Sequence, residues 1–295
     1  MIPIRLSHST LDIVNTCERK FQLEKLLISD TSKDETADTV LGKAYGVGVA
    51  SYLVDQDKEQ ALYKAWLEYW PELETDKKSI NHCTHALERS FPALDKLLQD
   101  YEVATLKDGK PAVELSFRIN INPQYYYVGY VDVVLRNKWD GVYVATDAKT
   151  TGLNLIDLSP AYQNSGQVLS YSIVLDSIVG QELAHYGCGY FVAQLKKDFE
   201  VVVHPLIFRK TLLDRLNWFI TLGMDIKRLE LSEEIGFYPR RGSACLKYNR
   251  QCKFFGTCTL SSQDKPRVRE EDTIAYDFVF DLDTLIDDHL RRINS

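Results

Sequence analysis

The chain has 295 residues, of which 45% are hydrophobic and 26% are charged, and it carries a net charge of −7 with a pI of about 5.5. This composition is that of a soluble globular protein, and the length allows one large domain or two. No apolar run approaches the roughly 18 residues of a membrane span, and the acidic balance argues against a protein that coats nucleic acid. The first residues lack the charged and apolar regions of a secretion signal, so we expect a cytoplasmic protein with no membrane partner.

Helical patterns dominate the first hundred residues. The spacing of apolar side chains predicts a helix over 11–27 that Thr10 caps, a second helix over about 40–53, and further helices over about 58–99. The second of these contains three glycines, which are costly inside a helix. We therefore expect its backbone to pack closely against a neighbouring element.

Strand patterns rich in Val, Tyr and Ile follow. Turns at Asn122-Pro123 and Asp140-Gly141 join the first three strands into an antiparallel meander. The order of helix, three strands, helix and strand predicts an α/β fold. In chain order we predict strands over 111–121, 125–136 and 141–149, a helix over 159–175, strands over 184–195 and 199–208, and a helix over 211–231.

Two acidic residues of the meander suit phosphodiester hydrolysis. Asp132 lies on the second strand, and Asp147 and Lys149 are two residues apart on the third, so the latter two share one face. Carboxylates can hold a Mg²⁺ ion that activates water and neutralises phosphate charge, and a lysine beside them can serve the attacking water. The acid-x-lysine triplet alone is weak because it occurs five times in the chain. Ordinary charges at strand ends are the alternative interpretation.

The residues around this pair form an ordered pattern. It consists of Gly129-Tyr130-Val131-Asp132, then Asp147-Ala148-Lys149, then Gln167-Val168-Leu169-Ser170-Tyr171 on the following helix. The pattern resembles the RecB-like branch of the PD-(D/E)XK nuclease superfamily. The resemblance implies a restriction-endonuclease-like core, a mixed sheet with an antiparallel meander flanked by helices, here with a helical region and a cysteine-rich C-terminal loop. It implies that Asp132 and Asp147 hold Mg²⁺ or Mn²⁺ and that Lys149 is catalytic. It further implies that Gln167 and Tyr171 contact DNA near the site.

One further match and one departure concern the metal ligands. Glu114, on the first strand, matches an acidic position often found in these nucleases. Such nucleases often carry Gly-x-x-x-His on the helix before the meander, with the histidine as an additional ligand. This chain has Gly42-Lys43-Ala44-Tyr45-Gly46, so glycine occupies the histidine position. The number of bound metal ions is therefore left open.

Four of the six cysteines flank the segment that contains the candidate catalytic residues. Cys17 precedes it, and Cys245, Cys252 and Cys258 follow it within fourteen residues. In a reducing compartment, clustered cysteines are more often metal ligands or catalytic groups than disulfides. Four thiolates suffice for a 4Fe-4S cluster or for Zn²⁺, and unliganded thiols are the third alternative. Neither C-terminal interval is as short as those of the usual zinc knuckle.

The order of one early cysteine and three late ones resembles the iron–sulfur nucleases of the RecB-like group. That group includes AddB-type helicase–nuclease subunits, CRISPR adaptation nucleases and phage-encoded relatives. The resemblance implies a structural 4Fe-4S cluster that joins the N-terminal helix to the C-terminal loop. Cys83 and Cys188 have no partner at ligand spacing, and we expect them to be buried free thiols.

Together, these patterns predict a metal-dependent DNA nuclease, by family analogy an exonuclease on single-stranded DNA or duplex ends. DNA is the expected partner, and a protein partner in a recombination, repair or CRISPR-type system would suit the family. The alternatives are a catalytically inactive DNA-binding or scaffold protein that keeps the fold, and a zinc-stapled interaction module. The expected domains are one nuclease domain over 1–265, with a helical part over about 56–110, a core over about 36–55 and 111–207 and a staple at Cys17 and 245–258, then an acidic tail over 266–295.

Overall fold

The structure, a computed structural model, describes residues 2–27, 37–69, 77–196, 200–247, 250–259 and 271–294. The chain divides into two units. The first unit comprises Met1–Lys33, Phe117–Gly129 and Leu216–Ser295, and the second comprises Asp34–Ser116 and Tyr130–Arg215. The predicted boundary between nuclease domain and acidic tail, near 265, lies outside the described residues.

Helices and strands follow one another broadly as the sequence predicts. The α-helices of the described residues are α1 (His8–Thr16), α2 (Glu18–Phe21), α3 (Ala37–Asp55), α4 (Lys58–Tyr69), α5 (Lys77–Asp100), α6 (Leu155–Gln163), α7 (Gly166–Tyr171), α8 (Val174–Val179), α9 (Leu212–Ile235) and α10 (Leu282–Asn294). Their strands are β1 (Ile4–Leu6), β2 (Tyr101–Val103), β3 (Val113–Asn122), β4 (Tyr125–Asn137), β5 (Tyr143–Thr151), β6 (His185–Leu195), β7 (Val201–Thr211), β8 (Leu246–Lys247), β9 (Arg250–Gln251) and β10 (Phe278–Asp281).

The N-terminal helix is interrupted and begins before Thr10, so the prediction of a single helix over 11–27 capped by Thr10 is wrong. Ser7 caps α1, its Oγ accepting a hydrogen bond from the Thr10 N–H at 3.3 Å. Cys17 then adopts an extended conformation, with φ −166° and ψ 112°, between α1 and α2. The apolar spacing continues through this residue although the backbone leaves the helix there. Local periodicity therefore did not reveal the break.

The predicted helix over 159–175 is also wrong as a single element, because three short helices replace it. α6 begins at Leu155 and contains Pro160 in its interior. Ser165 then caps α7, its Oγ accepting a hydrogen bond from the Gln167 N–H at 3.2 Å. Ser172 and Ile173 separate α7 from α8. Serine caps compete with helix continuation because their side chains satisfy the backbone donors of a new first turn.

The second unit contains a mixed sheet in which β4, β5, β6 and β7 lie side by side in that order. β4 pairs with β5 in antiparallel fashion, Val133 opposite Thr146. β5 pairs with β6 in parallel, and β6 pairs with β7 antiparallel. This arrangement confirms the predicted α/β class with a mixed sheet and flanking helices.

Helices α3, α4 and α5 share one apolar core with this sheet. Gly48 of α3 shows how closely the helices pack, because a Cβ at this position would lie 2.6 Å from Leu87 Cδ1 of α5. No real Cβ tolerates that distance, so the predicted close approach of the glycine-containing helix is confirmed at Gly48. The core therefore fixes the position of α3 beside the sheet.

The first unit is built on parallel pairs and on α9. β1 pairs with β4, Ile4 opposite Tyr125, and β10 pairs with β3. Tyr125 donates its hydroxyl hydrogen to Glu233 of α9 at 3.1 Å, and the ring of Tyr127 meets that of Trp218 edge to face. The described part of the acidic C-terminal segment thus supplies a strand and a helix. No helix in the described ranges has the length and apolar character needed to cross a bilayer.

Candidate active site

The meander brings Asp132 and Asp147 together. Because Val133 lies opposite Thr146, Asp132 and Asp147 are the next facing residues on β4 and β5. Asp132 Oδ2 accepts a hydrogen bond from the Ala148 N–H at 2.8 Å. Lys149 Nζ lies 2.8 Å from Asp147 Oδ2. This distance is that of an ion pair, but its angles are not those of a hydrogen bond.

A cavity of about 580 Å³ opens over these side chains. Its wall includes Asp132, Asp147 and Lys149, together with Glu114 of β3 and Glu68 of α4. Sequence reasoning missed Glu68, since it belongs to no motif and only the packing of α4 brings it to the cavity. All of these residues belong to the second unit.

Burial and mutual repulsion dominate the electrostatics of the cavity. Asp147 is only 3% exposed, and burial raises its pKa while Lys149 acts in the opposite direction. The pKa of Asp132 lies well above its ordinary value because of burial and the charge of Asp147. Desolvation raises the pKa of Glu114, and the charges of Glu68 and Asp147 act in the same direction. Glu114 as a whole is nevertheless an exposed residue. Carboxylates that disfavour one another's charge offer a favourable place for a cation.

Gln167 and Tyr171 lie one turn apart on α7 and both reach Asp147. Gln167 Nε2 donates to Asp147 Oδ1 at 2.9 Å and to Tyr171 Oη at 2.8 Å. The Tyr171 hydroxyl donates to the same Oδ1 at 3.4 Å. Helix α7 therefore engages one oxygen of Asp147, while Lys149 faces the other. The contact of Gln167 and Tyr171 with DNA stays a prediction.

The donor set fits a hard divalent cation by its chemistry. Mg²⁺ and Mn²⁺ prefer oxygen ligands, and Mg²⁺ usually takes one or two carboxylates while waters and phosphate oxygens complete its shell. Asp147 Oδ2 retains lone pairs for such a ligand, since no hydrogen bond satisfies it among the described residues. Within the same residues, no group of three or more His, Cys, Asp or Glu side chains is arranged so that it could hold a metal ion. The fit to a divalent cation thus rests on the carboxylate oxygens as donors and on the cavity that these residues share.

Gly46, at the position where a histidine was expected, lies directly beside this donor set. A Cβ on Gly46 would stand 3.9 Å from Asp132 Oδ2 and 3.9 Å from Ala148 Cβ, both ordinary contact distances. The structure therefore has room for a side chain at this position, next to a candidate ligand. Without a side chain, position 46 supplies no donor to the part of the cavity that α3 lines.

The four candidate cluster ligands all belong to the first unit. Cys17 is buried, Cys245, Cys252 and Cys258 are half-buried, and all four are free thiols. Cys17 Sγ lies 3.9 Å from Pro239 O, and Arg19 Nε donates to Cys258 O at 3.4 Å. The Cys252 N–H donates to Cys245 O at 2.9 Å.

These contacts join the segments that carry the cysteines without gathering the thiols into a ligand group among the described residues. Four free thiols on adjoining segments have the donor chemistry of an iron–sulfur or zinc site. The other two cysteines differ. Burial raises the pKa of Cys83 and of Cys188 to about 12, so both stay protonated, and the expectation of buried free thiols is confirmed.

A separate cavity of about 460 Å³ lies within the first unit. Arg19, Arg240 and Cys258 line it, and no carboxylate is among its described lining residues. We assign no hydrolytic chemistry to it, because it lacks the oxygen donors that the other cavity provides.

A family model of the PD-(D/E)XK nuclease superfamily matches residues 5–259. The chain belongs to this superfamily. The match includes every candidate catalytic residue and all four candidate cluster cysteines, so the predicted resemblance is confirmed at the level of the PD-(D/E)XK superfamily. The RecB-like branch stays a prediction.

Two further comparisons concern curated protein sequences and solved structures. No curated protein sequence matches the chain. A crystal structure of a "Putative exonuclease" from Eubacterium rectale is similar, with a TM-score of 0.47 and 12% identity, over 80% of this chain and 84% of that one. The assignment to the superfamily rests on the family match alone.

Proposed function

We propose that this PD-(D/E)XK protein is a deoxyribonuclease that depends on Mg²⁺ or Mn²⁺ and acts as an exonuclease on single-stranded DNA or duplex ends. The observation that carries the proposal is the lysine–carboxylate pair. Lys149 Nζ lies 2.8 Å from Asp147 Oδ2, in a cavity whose wall also contains Asp132. A protein that only binds DNA has no need of this combination.

The residues of the cavity divide the work of hydrolysis. Asp132 and Asp147 would hold the metal ion, which when bound supplies Lewis-acid activation of water and neutralises phosphate charge. The Lys149 ammonium would orient the attacking water and offset the charge that develops on the phosphate. Gln167 and Tyr171 hold Asp147 Oδ1 through their hydrogen bonds, so the carboxylate keeps Oδ2 towards Lys149.

We further propose that Cys17, Cys245, Cys252 and Cys258 bind a structural 4Fe-4S cluster, as in the RecB-like branch. Four free thiols in one unit support this assignment. The cluster would tie the segment at Cys17 to the C-terminal loop. Zn²⁺ in the same position is the alternative.

The test is cleavage of labelled single-stranded and duplex DNA by anaerobically purified protein with Mg²⁺ or Mn²⁺. We expect the wild type to degrade DNA and Lys149→Ala to lose this activity by several orders of magnitude. Lys196→Ala is the matched control, because Lys196 also pairs with a carboxylate, Glu200 at 3.0 Å, and is not among the lining residues of the cavity. We expect this control to cleave as the wild type does.

Cleavage that persists in Lys149→Ala would contradict the assigned site. Absence of metal-dependent cleavage by folded wild-type protein on every substrate would overturn the enzymatic proposal. DNA binding without cleavage would then favour the non-catalytic alternative, in which the missing histidine at position 46 reflects a lost activity.

A further inference from the structure

Arg215, in the first turn of α9, is a buried charged residue of the second unit. Its side chain is 1% exposed. A guanidinium at this depth is stable only when its charge is paired and its donors are satisfied. The partners that satisfy it therefore show what it holds in place.

The contacts of Arg215 converge on one short segment. Nε donates to Ser172 Oγ at 3.1 Å and Nη2 donates to Ser172 O at 2.8 Å. Nη1 lies 3.2 Å from both carboxylate oxygens of Asp176. The guanidinium carbon also stands 4.2 Å from the centre of the Tyr186 ring. Two of the donor nitrogens thus bind Ser172, at the junction between α7 and α8, and the third binds Asp176 of α8.

The junction has local hydrogen bonds of its own, since the Ser172 N–H donates to Leu169 O at 3.2 Å and the Leu175 N–H donates to Ser172 O at 3.2 Å. α7 has six residues, fewer than two turns, which is too short to be stable alone. Arg215 adds a bond from outside α7, because its Nη2 donates to Ser172 O at 2.8 Å. Ser172 directly follows Tyr171, the residue that donates to Asp147.

We propose that Arg215 is a positioning residue for the reaction assigned above, on which this inference rests. By fixing Ser172 and Asp176, Arg215 sets where α7 presents Gln167 and Tyr171. These two side chains in turn fix the Asp147 carboxylate. Arg215 touches neither substrate nor metal in this account, and its effect on catalysis passes through α7.

Arg215→Lys is the informative variant. A lysine keeps the positive charge beside Asp176, but its single ammonium cannot reproduce the planar fork that binds Ser172 and Asp176 together. At saturating Mn²⁺ with labelled single-stranded DNA, below the melting temperature, we expect kcat to fall about tenfold with KM nearly unchanged. Misplacement of a catalytic group by about 1 Å can cost as much or more.

A double-mutant cycle separates positioning from general stability. In a Gln167→Ala background, Arg215→Lys should cause no further fall in kcat, because the link that it acts through is already lost. Leu94→Ala is the control for stability. Leu94 is 1% exposed in the core of the same unit, so its truncation should lower the melting temperature while kcat below that temperature stays at the wild-type value.

Two results would overturn the positioning role: wild-type kcat in Arg215→Lys, or losses in Arg215→Lys and Gln167→Ala that multiply in the double variant. If Arg215→Lys does not fold, Asp176→Asn takes its place in the same cycle, since the amide keeps the shape and one acceptor. If the wild type cleaves DNA and Lys149→Ala does not, either of these results would contradict only the role of Arg215 and leave the proposed nuclease function standing. No cleavage by the wild type would sink both proposals.

Discussion

Asp147 is the side chain on which the contacts of the candidate active site converge. Its two oxygens face different partners: Oδ1 accepts from Gln167 Nε2 at 2.9 Å, and Oδ2 lies 2.8 Å from Lys149 Nζ.

Glu114 contributes a carboxylate from a strained backbone, with φ at 51°. For a residue other than glycine, the left-handed region costs roughly 1–2 kcal/mol. Strain of this kind is concentrated at functional sites, where the surrounding structure maintains it.

At position 46, a single substitution tests the metal site directly. We expect Gly46→His to tighten Mn²⁺ binding roughly tenfold, on the order of the effect of neighbouring groups on metal affinity. The imidazole would start from a Cβ that stands 3.9 Å from Asp132 Oδ2 and clashes with nothing. Calorimetric titration of Mn²⁺ into protein freed of divalent metal measures the affinity without reference to activity.

Gly42→His is the control for this substitution. It lies one helical turn earlier, and its Cβ would approach Thr150 Oγ1 at 3.7 Å rather than a carboxylate. We expect its Mn²⁺ affinity to equal that of the wild type. An equal gain in both variants, or none in Gly46→His, would show that position 46 does not adjoin the metal ligands.

Among the elements, α7 is short and yet carries two of the candidate site residues. Its six residues carry both Gln167 and Tyr171, and its start depends on the Ser165 cap. A cap fixes the first turn by accepting a hydrogen bond from a backbone N–H that the helix itself cannot satisfy. The first turn of α7 includes Gln167, so order in this turn is coupled to the geometry of Asp147.

Ser165→Ala should therefore affect both stability and catalysis. We expect a loss of about 1 kcal/mol in the free energy of unfolding, typical of a lost N-cap, and a several-fold fall in kcat. Chemical denaturation measures the first, and steady-state DNA cleavage measures the second. The catalytic effect follows because Gln167 would sample positions away from Asp147.

Ser7→Ala provides the comparison. Ser7 caps α1 in the first unit, with its Oγ 3.3 Å from the Thr10 N–H, so its loss should cost a similar free energy. We expect kcat to be unchanged in Ser7→Ala. If the two cap variants showed the same kcat, α7 would have no special role in positioning Asp147.

On the scale of the whole molecule, the two kinds of site belong to different units. The carboxylates, Lys149 and α7 are all in the second unit, and the four candidate cluster cysteines are all in the first. Near Cys17, buried Glu18 pairs with Arg228 at 3.0 Å and accepts from Ser232 at 2.8 Å. These polar contacts show that the first unit anchors the Cys17 segment to α9 independently of any cluster.

Replacement of one cysteine tests the proposed cluster. We expect anaerobically purified wild type to be brown and to contain about four iron atoms per chain, as four thiolates and a 4Fe-4S cluster imply. Cys17→Ser should lose most of this iron and melt at a lower temperature, because the tie between the two ends of the unit is gone. Mass spectrometry of metals measures the iron content, and visible absorbance shows whether the coloured cluster is present.

Cys83→Ser is the matched control, because Cys83 is a buried free thiol of the second unit. We expect it to keep the iron content of the wild type. A colourless wild type with one zinc per chain would replace the iron–sulfur assignment with the zinc alternative. Thiols without any metal in anaerobic preparations would contradict both.

The local chemistry of the site could be predicted because it depends on patterns of short range. Alternation along β4 and β5 places Asp132, Asp147 and Lys149 on strands, and the shared face of Asp147 and Lys149 follows from the two-residue period. The four-residue interval from Gln167 to Tyr171 survives although the predicted long helix does not. Neither pattern needs knowledge of distant residues.

What the sequence by itself determined is the order of the central strands and of the longer helices, the carboxylate–lysine pair and the superfamily, since propensity, periodicity and motif order are local properties. Only the tertiary structure decided the rest. The break at Cys17, the place of Glu68 in the cavity and the burial of Arg215 involve contacts between residues distant in sequence, and the division of one helix into α6, α7 and α8 follows the Ser165 cap. Local apolar spacing is the same whether or not the backbone turns, so packing and caps determine where each helix ends.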